Sequence, residues 1–224
     1  MIIDNEFWEL FPDATIYSLV AKRLNNNDED TAFYEQLLSA AEKEAQQYIQ
    51  TEPFRENPVV AQWREAFTKF KTKKGARSSI EALLKRVSQG KELGTINPLV
   101  DIYNSMSLKH GVPCGGEDLN AMDGELHLGV AKGGEQFLPL GAEEDAPALT
   151  GEVIYYDQTG AICRCFNWRE AQRTMLTENT TNAVLIIESI NAEQSKRAKE
   201  AIEELQQLIN DRFGVETTSS TFKK

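Results

Sequence analysis

Residues 98–118 read PLVDIYNSMSLKHGVPCGGED, and along this stretch the patterning changes from helical to strand-like. Pro98 suits the first turn of a helix, and apolar residues then recur at helical spacing. Gly111 is a typical helix end, and a tight glycine-containing turn follows over residues 112–118. Helices are predicted mainly before this stretch and strands mainly after it. This segregation indicates an α+β fold rather than regular βαβ alternation.

On both sides of residues 98–118, hydrophobic periodicity predicts the remaining elements. On the N-terminal side it predicts a strand over 14–21 and helices over about 30–50, 59–70 and 78–90. On the C-terminal side it predicts short strands over 126–130, 136–140, 153–156, 161–166 and 183–187, and a final helix over 192–213. The polar segment that follows is expected to fray.

These elements predict a single domain over residues 1–216. Its helical N-terminal part covers about 30–110, its strand-rich part covers about 112–190, and a C-terminal helix covers about 192–213. Residues 217–224 are expected to form a flexible tail. No internal repeat and no linker composition divides the chain.

The composition is that of an ordinary globular protein: 224 residues, 41% hydrophobic and 26% charged. It excludes collagen, low-complexity disorder and a disulfide-stapled miniprotein. No apolar run approaches the roughly 20 residues that span a bilayer, so no membrane partner is expected. The N-terminus lacks the pattern of a secretory signal, and three cysteines without framework spacing favour a reducing compartment. We therefore expect a cytoplasmic protein.

The net charge is −11, which excludes a general nucleic-acid binder because phosphate is repelled on average. The charge is uneven, however: residues 64–91 hold nine basic side chains and two acidic ones. A basic footprint of this kind can hold an RNA backbone locally. The candidate RNA contacts are Lys71, Lys73, Lys74 and Arg77. The alternative interpretation is a solvated helical face with lysine-rich turns.

Familiar catalytic motifs are missing from the sequence. It has no Walker-type phosphate loop, no G-x-S-x-G, no H-E-x-x-H and no paired C-x-x-C. The two histidines, His110 and His127, suit a helix end and a strand better than a catalytic triad. We expect no metal and no cofactor. Any enzymatic activity is expected to work without a side-chain nucleophile.

Two polar segments are candidates for ligand binding. In the helix over 98–110, Asp101, Asn104 and either Ser105 or Ser107 share one stripe. The stripe leads to Gly115, Gly116 and Glu117, where backbone amides can approach a ligand closely. The alternative interpretation is that these polar residues only cap the helix and form the turn that follows it.

The second segment, residues 164–170, reads RCFNWRE and packs several functional groups into seven residues. An amide, an aromatic face, a guanidinium and a carboxylate together suit a polar small molecule. The candidates are Arg164, Asn167, Trp168, Arg169 and Glu170. A buried tryptophan beside a structural Arg–Glu pair is the alternative interpretation.

Four short segments give the chain a family resemblance over roughly residues 10–210. They are RSSIEALL (77–84), INPLVDIYN (96–104), GVPCGGED (111–118) and FNWRE (166–170). In this order they resemble the stand-alone B3/B4 domain proteins, which are similar to the editing domain of the phenylalanyl-tRNA synthetase β subunit. The resemblance implies an α+β fold with a barrel-like mixed sheet flanked by helices. It also implies hydrolysis of a mischarged aminoacyl-tRNA, which in the synthetase carries tyrosine.

The resemblance also assigns roles to particular residues. The family's catalytic asparagine falls on Asn104, and its tyrosine-reading glutamate falls on Glu170. Asn167 would join Asn104 in orienting the ester or the water. The remaining substrate contacts would be Asp101, Ser107, Gly115, Gly116, Glu117, Arg164, Trp168 and Arg169. Gly115 stands where the synthetase has a histidine. The resemblance therefore leaves open which amino acid the protein recognises and whether it hydrolyses the ester.

Three functions therefore compete. The first is a trans-acting hydrolase of mischarged aminoacyl-tRNA. The second is a module without catalysis that binds RNA or a small amino-acid-like ligand. An unrelated small-molecule enzyme that reuses the pocket is a third reading. Because phosphate contacts weaken steeply with salt, salt dependence separates the first two from the third.

Overall fold

A computed structural model describes residues 1–224, and its elements follow an α+β pattern. The helices are α1 (Asn5–Leu10), α2 (Thr31–Ala45), α3 (Pro58–Ala66), α4 (Ser79–Ser88), α5 (Pro98–His110) and α6 (Ala192–Phe213). The strands are β1 (Ile2–Ile3), β2 (Thr15–Lys22), β3 (Cys114–Asp118), β4 (His127–Val130), β5 (Val153–Tyr156), β6 (Ala161–Arg164), β7 (Arg169–Glu170), β8 (Asn182–Ser189) and β9 (Thr217–Phe222). The α+β class is confirmed.

The strands form two sheets flanked by helices, and neither sheet closes into a barrel. Sheet A has the order β1-β4-β5-β6-β7, and sheet B has the order β3-β8-β2-β9. Sheet A is mixed, because β1 runs parallel to β4 while its other pairs are antiparallel. Every pair in sheet B is antiparallel.

The core has two main layers because β8 alternates its side chains between them. Leu185 and Ile187 pack with α5 and α6 on one face of sheet B. Val184 and Ile186 belong to the other layer, where sheet B meets sheet A and helices α1, α3 and α4. The residues that face sheet A therefore border any space left between the sheets.

Helix α5 lies at the centre of the molecule, with ten of its thirteen residues buried. Asn97 caps its N-terminus by accepting a hydrogen bond from the Val100 amide, and Gly111 ends it in the left-handed conformation. Because the helix is buried nearly all round, Asp101, Ser105 and Ser107 bond to nearby backbone groups. Ser107 Oγ, for example, donates to the Val112 carbonyl at 2.5 Å.

Three sequence expectations differ from the structure. Residues 136–140 form no strand and make a single bridge, Pro139 to Ala171. Residues 217–224 are not a flexible tail, because Thr217–Phe222 pair with β2 along the edge of sheet B. Short elements at the N-terminus, α1 and β1, were not predicted. No helix combines the length and apolar character needed to cross a membrane.

Candidate functional site

A cavity of about 280 Å³ lies between the two sheets at the β3 edge. Its wall is formed by residues of β3, β5, β6, β7 and β8, the loop between β6 and β7, and the start of α4. The lining residues are Ser79, Cys114, Gly115, Gly116, Glu117, Leu126, Leu140, Tyr155, Cys163, Asn167, Trp168, Arg169, Glu170, Ile186 and Glu188. This volume suits a ligand about the size of an amino acid.

Strand register explains why distant residues meet in this cavity. In sheet A, Tyr155 pairs with Cys163 and Cys163 pairs with Glu170, so the three side chains share one face. In sheet B, Gly115 pairs with Ile186, and Glu188 lies two residues further along the same face of β8. The two rows face each other across the cavity.

The loop between β6 and β7 holds Asn167 in position. Cys165 and Phe166 both have positive φ values, 48° and 65°, which turns the chain sharply after β6. The Phe166 ring is buried in an aromatic cluster, 5.3 Å from the Phe7 ring centroid and 5.5 Å from that of Trp63. Burial of this ring offsets the cost of the unusual backbone.

Asn167 bridges α4 and β8 across the cavity wall. Its Oδ1 accepts a hydrogen bond from the Ser79 amide at 3.3 Å, and its Nδ2 donates to Glu188 Oε2 at 3.1 Å. Tyr155 Oη donates to the other carboxylate oxygen of Glu188 at 3.0 Å. The asparagine therefore fixes the orientation of a buried carboxylate.

Three glutamates face the cavity, and burial raises the pKa of each. Burial raises the pKa of Glu170 to about 7, and the neighbouring Tyr103 hydroxyl acts in the opposite direction by lowering it. The pKa of Glu188 rises to about 8, against hydrogen bonds from Tyr155 and Asn167. Burial and then the charge of Glu170 hold the pKa of Glu117 well above its usual range. A carboxyl with a pKa near 7 exchanges protons readily at neutral pH.

The two neighbouring glycines of β3 have different surroundings. A Cβ on Gly115 would point toward the cavity, with Glu170 Oε1 as its nearest neighbour at 3.6 Å. A Cβ on Gly116 would collide with the Leu185 side chain in the core. The lack of a side chain at residue 115 therefore keeps the cavity open, whereas Gly116 allows close packing.

The structure brings seven of the eleven predicted catalytic and substrate-binding residues together. Those that line the cavity are Gly115, Gly116, Glu117, Asn167, Trp168, Arg169 and Glu170. Three others lie on α5 away from the cavity wall: Asp101, Asn104 and Ser107. The α5 residue whose hydroxyl neighbours Glu170 is instead Tyr103.

Asp101 and Ser107 are held by the fold, because Asp101 Oδ1 accepts from the Ile96 amide at 2.9 Å and Ser107 bonds to Val112. Burial raises the pKa of Asp101 to about 6. Asn104 is half-buried on the same helix. The three residues lie on one helix, but none of them borders this cavity. Their assignment as site residues stays a prediction.

Arg164, the fourth residue outside the cavity, makes a structural ion pair. Its Nε donates to Glu152 Oε2 at 2.7 Å, and the two side chains are 2% and 0% exposed. A further hydrogen bond runs from Arg164 to the carbonyl of Ala146. Because both charges are buried and paired, and Arg164 does not line the cavity, its side chain serves the fold rather than a substrate.

The basic loop before α4 lies beside the cavity wall. The Lys73 amide donates to Cys165 Sγ at 3.5 Å, and the Lys71 amide donates to the Gly151 carbonyl at 3.0 Å. The side chains of Lys71, Lys73, Lys74 and Arg77 are all exposed. The four predicted RNA contacts therefore form one exposed basic surface next to the loop that carries Asn167.

Sequence reasoning missed Glu188, Tyr155, Tyr103 and Ser79. Glu188 had a usable signal, since it is the only charged residue in the strand Asn182–Ser189. A charge in a strand that is otherwise buried indicates a special environment. The other three residues had no local signal, because only the packing of α4, α5 and β5 brings them to the cavity or beside it.

Comparison with known proteins places the chain in a family. No curated protein matches it. Among solved structures, it is similar to an N-terminal fragment of the phenylalanyl-tRNA synthetase β subunit from Pyrococcus horikoshii, with 11% identity and a TM-score of 0.48. The match covers 100% of this chain and 54% of that one, so the chain spans about half the length of the fragment. The B3/4 domain model matches residues 62–215, and the chain therefore belongs to the B3/4 domain family.

Proposed function

We propose that this protein is a trans-acting hydrolase that removes an amino acid from mischarged tRNA. The observation that carries the proposal is the cavity between the sheets, which is amino-acid-sized and lies next to an exposed basic surface. An aminoacyl ester at the end of a tRNA needs both features. The aminoacyl group requires an enclosed pocket, and the adjoining phosphates require cations.

The basic surface of Lys71, Lys73, Lys74 and Arg77 would hold the tRNA backbone. At the cavity rim, the Arg169 guanidinium lies 5.9 Å from the centre of the Trp168 ring and is exposed. It is therefore available to a phosphate near the acceptor end. The net charge of −11 on the whole chain would limit binding elsewhere on the surface.

Glu170 is suited to the role of general base. Its pKa of about 7 makes it partly ionised at neutral pH, and it is only partly buried, so water can reach it. The ionised carboxylate would take a proton as the water oxygen bonds to the ester carbonyl carbon. Collapse of the tetrahedral intermediate would break the ester bond, and the departing ribose oxygen would receive that proton. The products are the free amino acid and the tRNA.

The Gly116 amide is a candidate donor to the developing oxyanion. Strand β3 is at the edge of sheet B, and the Glu188 amide donates to the Pro113 carbonyl at 3.2 Å. In an antiparallel pair, every second residue of a strand bonds to its partner strand. Gly115 and Glu117 therefore direct their backbone groups toward β8, and the Gly116 N–H points to the free edge of the sheet. A fixed donor of this kind stabilises negative charge without reorganisation.

The test is deacylation of a panel of mischarged tRNAs at low salt, including tyrosyl, seryl, alanyl and D-aminoacyl species. We expect release from one class and a loss of about 100-fold or more in Glu170→Gln, a typical size for a general base. Glu216→Gln, at an exposed site after α6, is the matched control. If the Glu170→Gln variant released the amino acid at the wild-type rate, Glu170 would have no role in the mechanism.

A second arm tests the basic surface. Reversal of Lys71, Lys73 and Lys74 to Glu is expected to weaken tRNA binding and flatten its salt dependence. Reversal of three other exposed lysines, Lys196, Lys223 and Lys224, is the control. If tRNA binds but no species is hydrolysed, the protein is the non-catalytic RNA-binding module of the family. If the reversed surface binds tRNA as before, this surface is not the contact.

A further inference from the structure

A second concave site lies outside the cavity, between helices α3 and α4. It is a cleft of about 360 Å³. The exposed residues at its mouth include Arg64, Gly75 and Arg77. The buried residues in its floor include Trp63, Ser78 and Glu81. An open mouth above a buried polar floor is a shape that suits a small ligand, and the proposed mechanism does not use this cleft.

Two hydrogen-bond donors in the floor have no acceptor. The indole Nε1 of Trp63 and the hydroxyl of Ser78 make no hydrogen bond, although both residues are 0% exposed. An indole N–H can only donate, so only an acceptor can satisfy it. A buried donor without a partner costs stability, and a ligand that accepts a hydrogen bond removes that cost.

The first turn of α4 adds backbone donors at the same place. Ser78 is the N-cap residue, but its side chain makes no capping hydrogen bond. The Ser79 amide donates to Asn167 Oδ1. The amides of Ile80 and Glu81 make no hydrogen bond. Because α4 is ten residues long, its N-terminus also carries the partial positive charge of the helix dipole, which favours an anion.

The charged side chains of the cleft leave one positive charge in excess. Arg64 donates to Glu81 Oε1 through Nε at 3.1 Å and through Nη2 at 2.7 Å, so these two opposite charges neutralise each other. Arg77 forms no ion pair. Its guanidinium is exposed and directly precedes Ser78 in the chain, so it is available to an anion in the cleft.

A phosphate group fits this set of donors better than a carboxylate does. The donors belong to three parts of the cleft, because Trp63 lies on α3, Ser78 at the start of α4 and Arg77 in the loop before it. A phosphate presents several strong acceptor oxygens at the corners of a tetrahedron, whereas the two oxygens of a carboxylate lie in one plane. Phosphate is also the anion that arginine and helix N-termini commonly bind in proteins.

From these observations we propose that the cleft between α3 and α4 binds a phosphate group, with Trp63, Arg77 and Ser78 as its side-chain donors. The site goes beyond the proposed hydrolase, because it lies outside the cavity and requires no aminoacyl group. Two sources share this chemistry: a backbone phosphate of bound RNA, and a free phosphate in solution. Only the first source rests on the proposed function.

Calorimetric titration with inorganic phosphate at low, constant ionic strength tests the proposal. We expect saturable binding with a Kd below about 1 mM. Arg77→Gln is expected to weaken this binding by about tenfold or more, because a charge-assisted hydrogen bond is lost. Arg23→Gln, at an exposed arginine outside the cleft, is the matched control. No saturable binding at millimolar phosphate, or full affinity in Arg77→Gln, would overturn the proposal.

Ser78→Ala separates a ligand contact from a structural role. The hydroxyl has no partner within the protein, so its removal is expected to leave the free energy of unfolding unchanged or to raise it. The affinity for phosphate is expected to fall by about tenfold. Ser39→Ala, at an exposed serine of α2, is the control for both measurements. An affinity for phosphate that stays at the wild-type value in Ser78→Ala would contradict the proposed site.

Competition with tRNA identifies the source of the phosphate. If inorganic phosphate displaces bound tRNA at constant ionic strength, and Ser78→Ala also weakens tRNA binding, the cleft holds a backbone phosphate of RNA. If phosphate binds and neither effect is seen, the cleft takes a free phosphate.

The two proposals fail in different ways, because the titration measures no hydrolysis. A protein that binds phosphate in the cleft but deacylates no tRNA keeps the phosphate site and loses the enzymatic role. A protein that deacylates tRNA but binds no phosphate in the cleft keeps the enzymatic role and loses the phosphate site.

Discussion

Arg164 and Arg169 pair across β6 and β7, yet their side chains have opposite environments. Arg164 is buried against Glu152, whereas Arg169 is exposed at the cavity rim. Arg164→Met should cost about 3–5 kcal/mol in the free energy of unfolding, because it leaves the Glu152 charge buried and unpaired. Arg169→Met should stay within about 0.5 kcal/mol of the wild type. Urea denaturation measures the free energy of unfolding of each variant. If both substitutions lowered it equally, the difference in burial between the two arginines would be contradicted.

Residue by residue, local chemistry predicted only part of the site. The segment FNWRE was a sound candidate because its functional groups are adjacent in sequence, and Asn167, Trp168, Arg169 and Glu170 all reach the cavity. Asn104 was assigned through the family resemblance and lies elsewhere, since α5 is buried nearly all round and its orientation follows from packing. Glu188 is marked locally as the only charge in a buried strand, but the register of β8 decides that it reaches the cavity, and no local pattern reports that register.

Among the secondary-structure elements, β9 forms because it pairs with a neighbouring strand, although its composition predicts a disordered end. Its residues are polar and mostly exposed, which is typical of a frayed end. Strand β2 is buried along nearly its whole length, however, and its edge would otherwise present unpaired backbone groups. Pairing with β9 covers that edge, so a segment without a hydrophobic pattern becomes ordered.

Removal of residues 215–224 is therefore expected to lower the melting temperature and to promote aggregation, because the β2 edge becomes free to pair with another chain. Thermal unfolding followed by light scattering measures both effects. Removal of Lys223 and Lys224 alone, which lie beyond β9, is the control. If the longer truncation behaved like the control, β9 would contribute nothing to stability.

The helices were predicted better than the strands for a physical reason. A helix shows its buried face within its own sequence, so α2, α4, α5 and α6 were found near their true positions. The two-residue strands β1 and β7 are too short to show alternation and exist only through their partners β4 and β6. For the same reason, the arrangement of the strands in two open sheets could not be read from the chain.

At the scale of the whole molecule, the buried carboxyl groups make stability depend on pH. The raised pKa values of Glu170, about 7, and Glu188, about 8, mean that the folded state binds more protons than the unfolded state between about pH 5 and 8. Asp101, with a pKa of about 6, contributes with the same sign. The free energy of unfolding should therefore fall as pH rises through this window. Asp157, whose pKa is lowered, acts only in more acidic solution.

Glu188→Gln is expected to make this pH dependence shallower, because a neutral amide releases no proton. Each carboxyl accounts for at most about 1.4 kcal/mol per pH unit. Denaturant unfolding at pH 5, 6, 7 and 8 measures the slope, with Glu216→Gln as the control. An unchanged slope in Glu188→Gln would mean that Glu188 is already ionised in the folded protein.

Phe166 belongs to the aromatic core and Asn167, the next residue, belongs to the cavity wall. One peptide bond thus joins the packed core of the molecule to the wall of the cavity. In evolution, changes to this loop are constrained, since a substitution that reshapes the cavity here also disturbs the core. Arg169, exposed at the rim, carries no such constraint, whereas Trp168 still packs against the core. Changes that alter the cavity without disturbing the core are therefore easiest at Arg169.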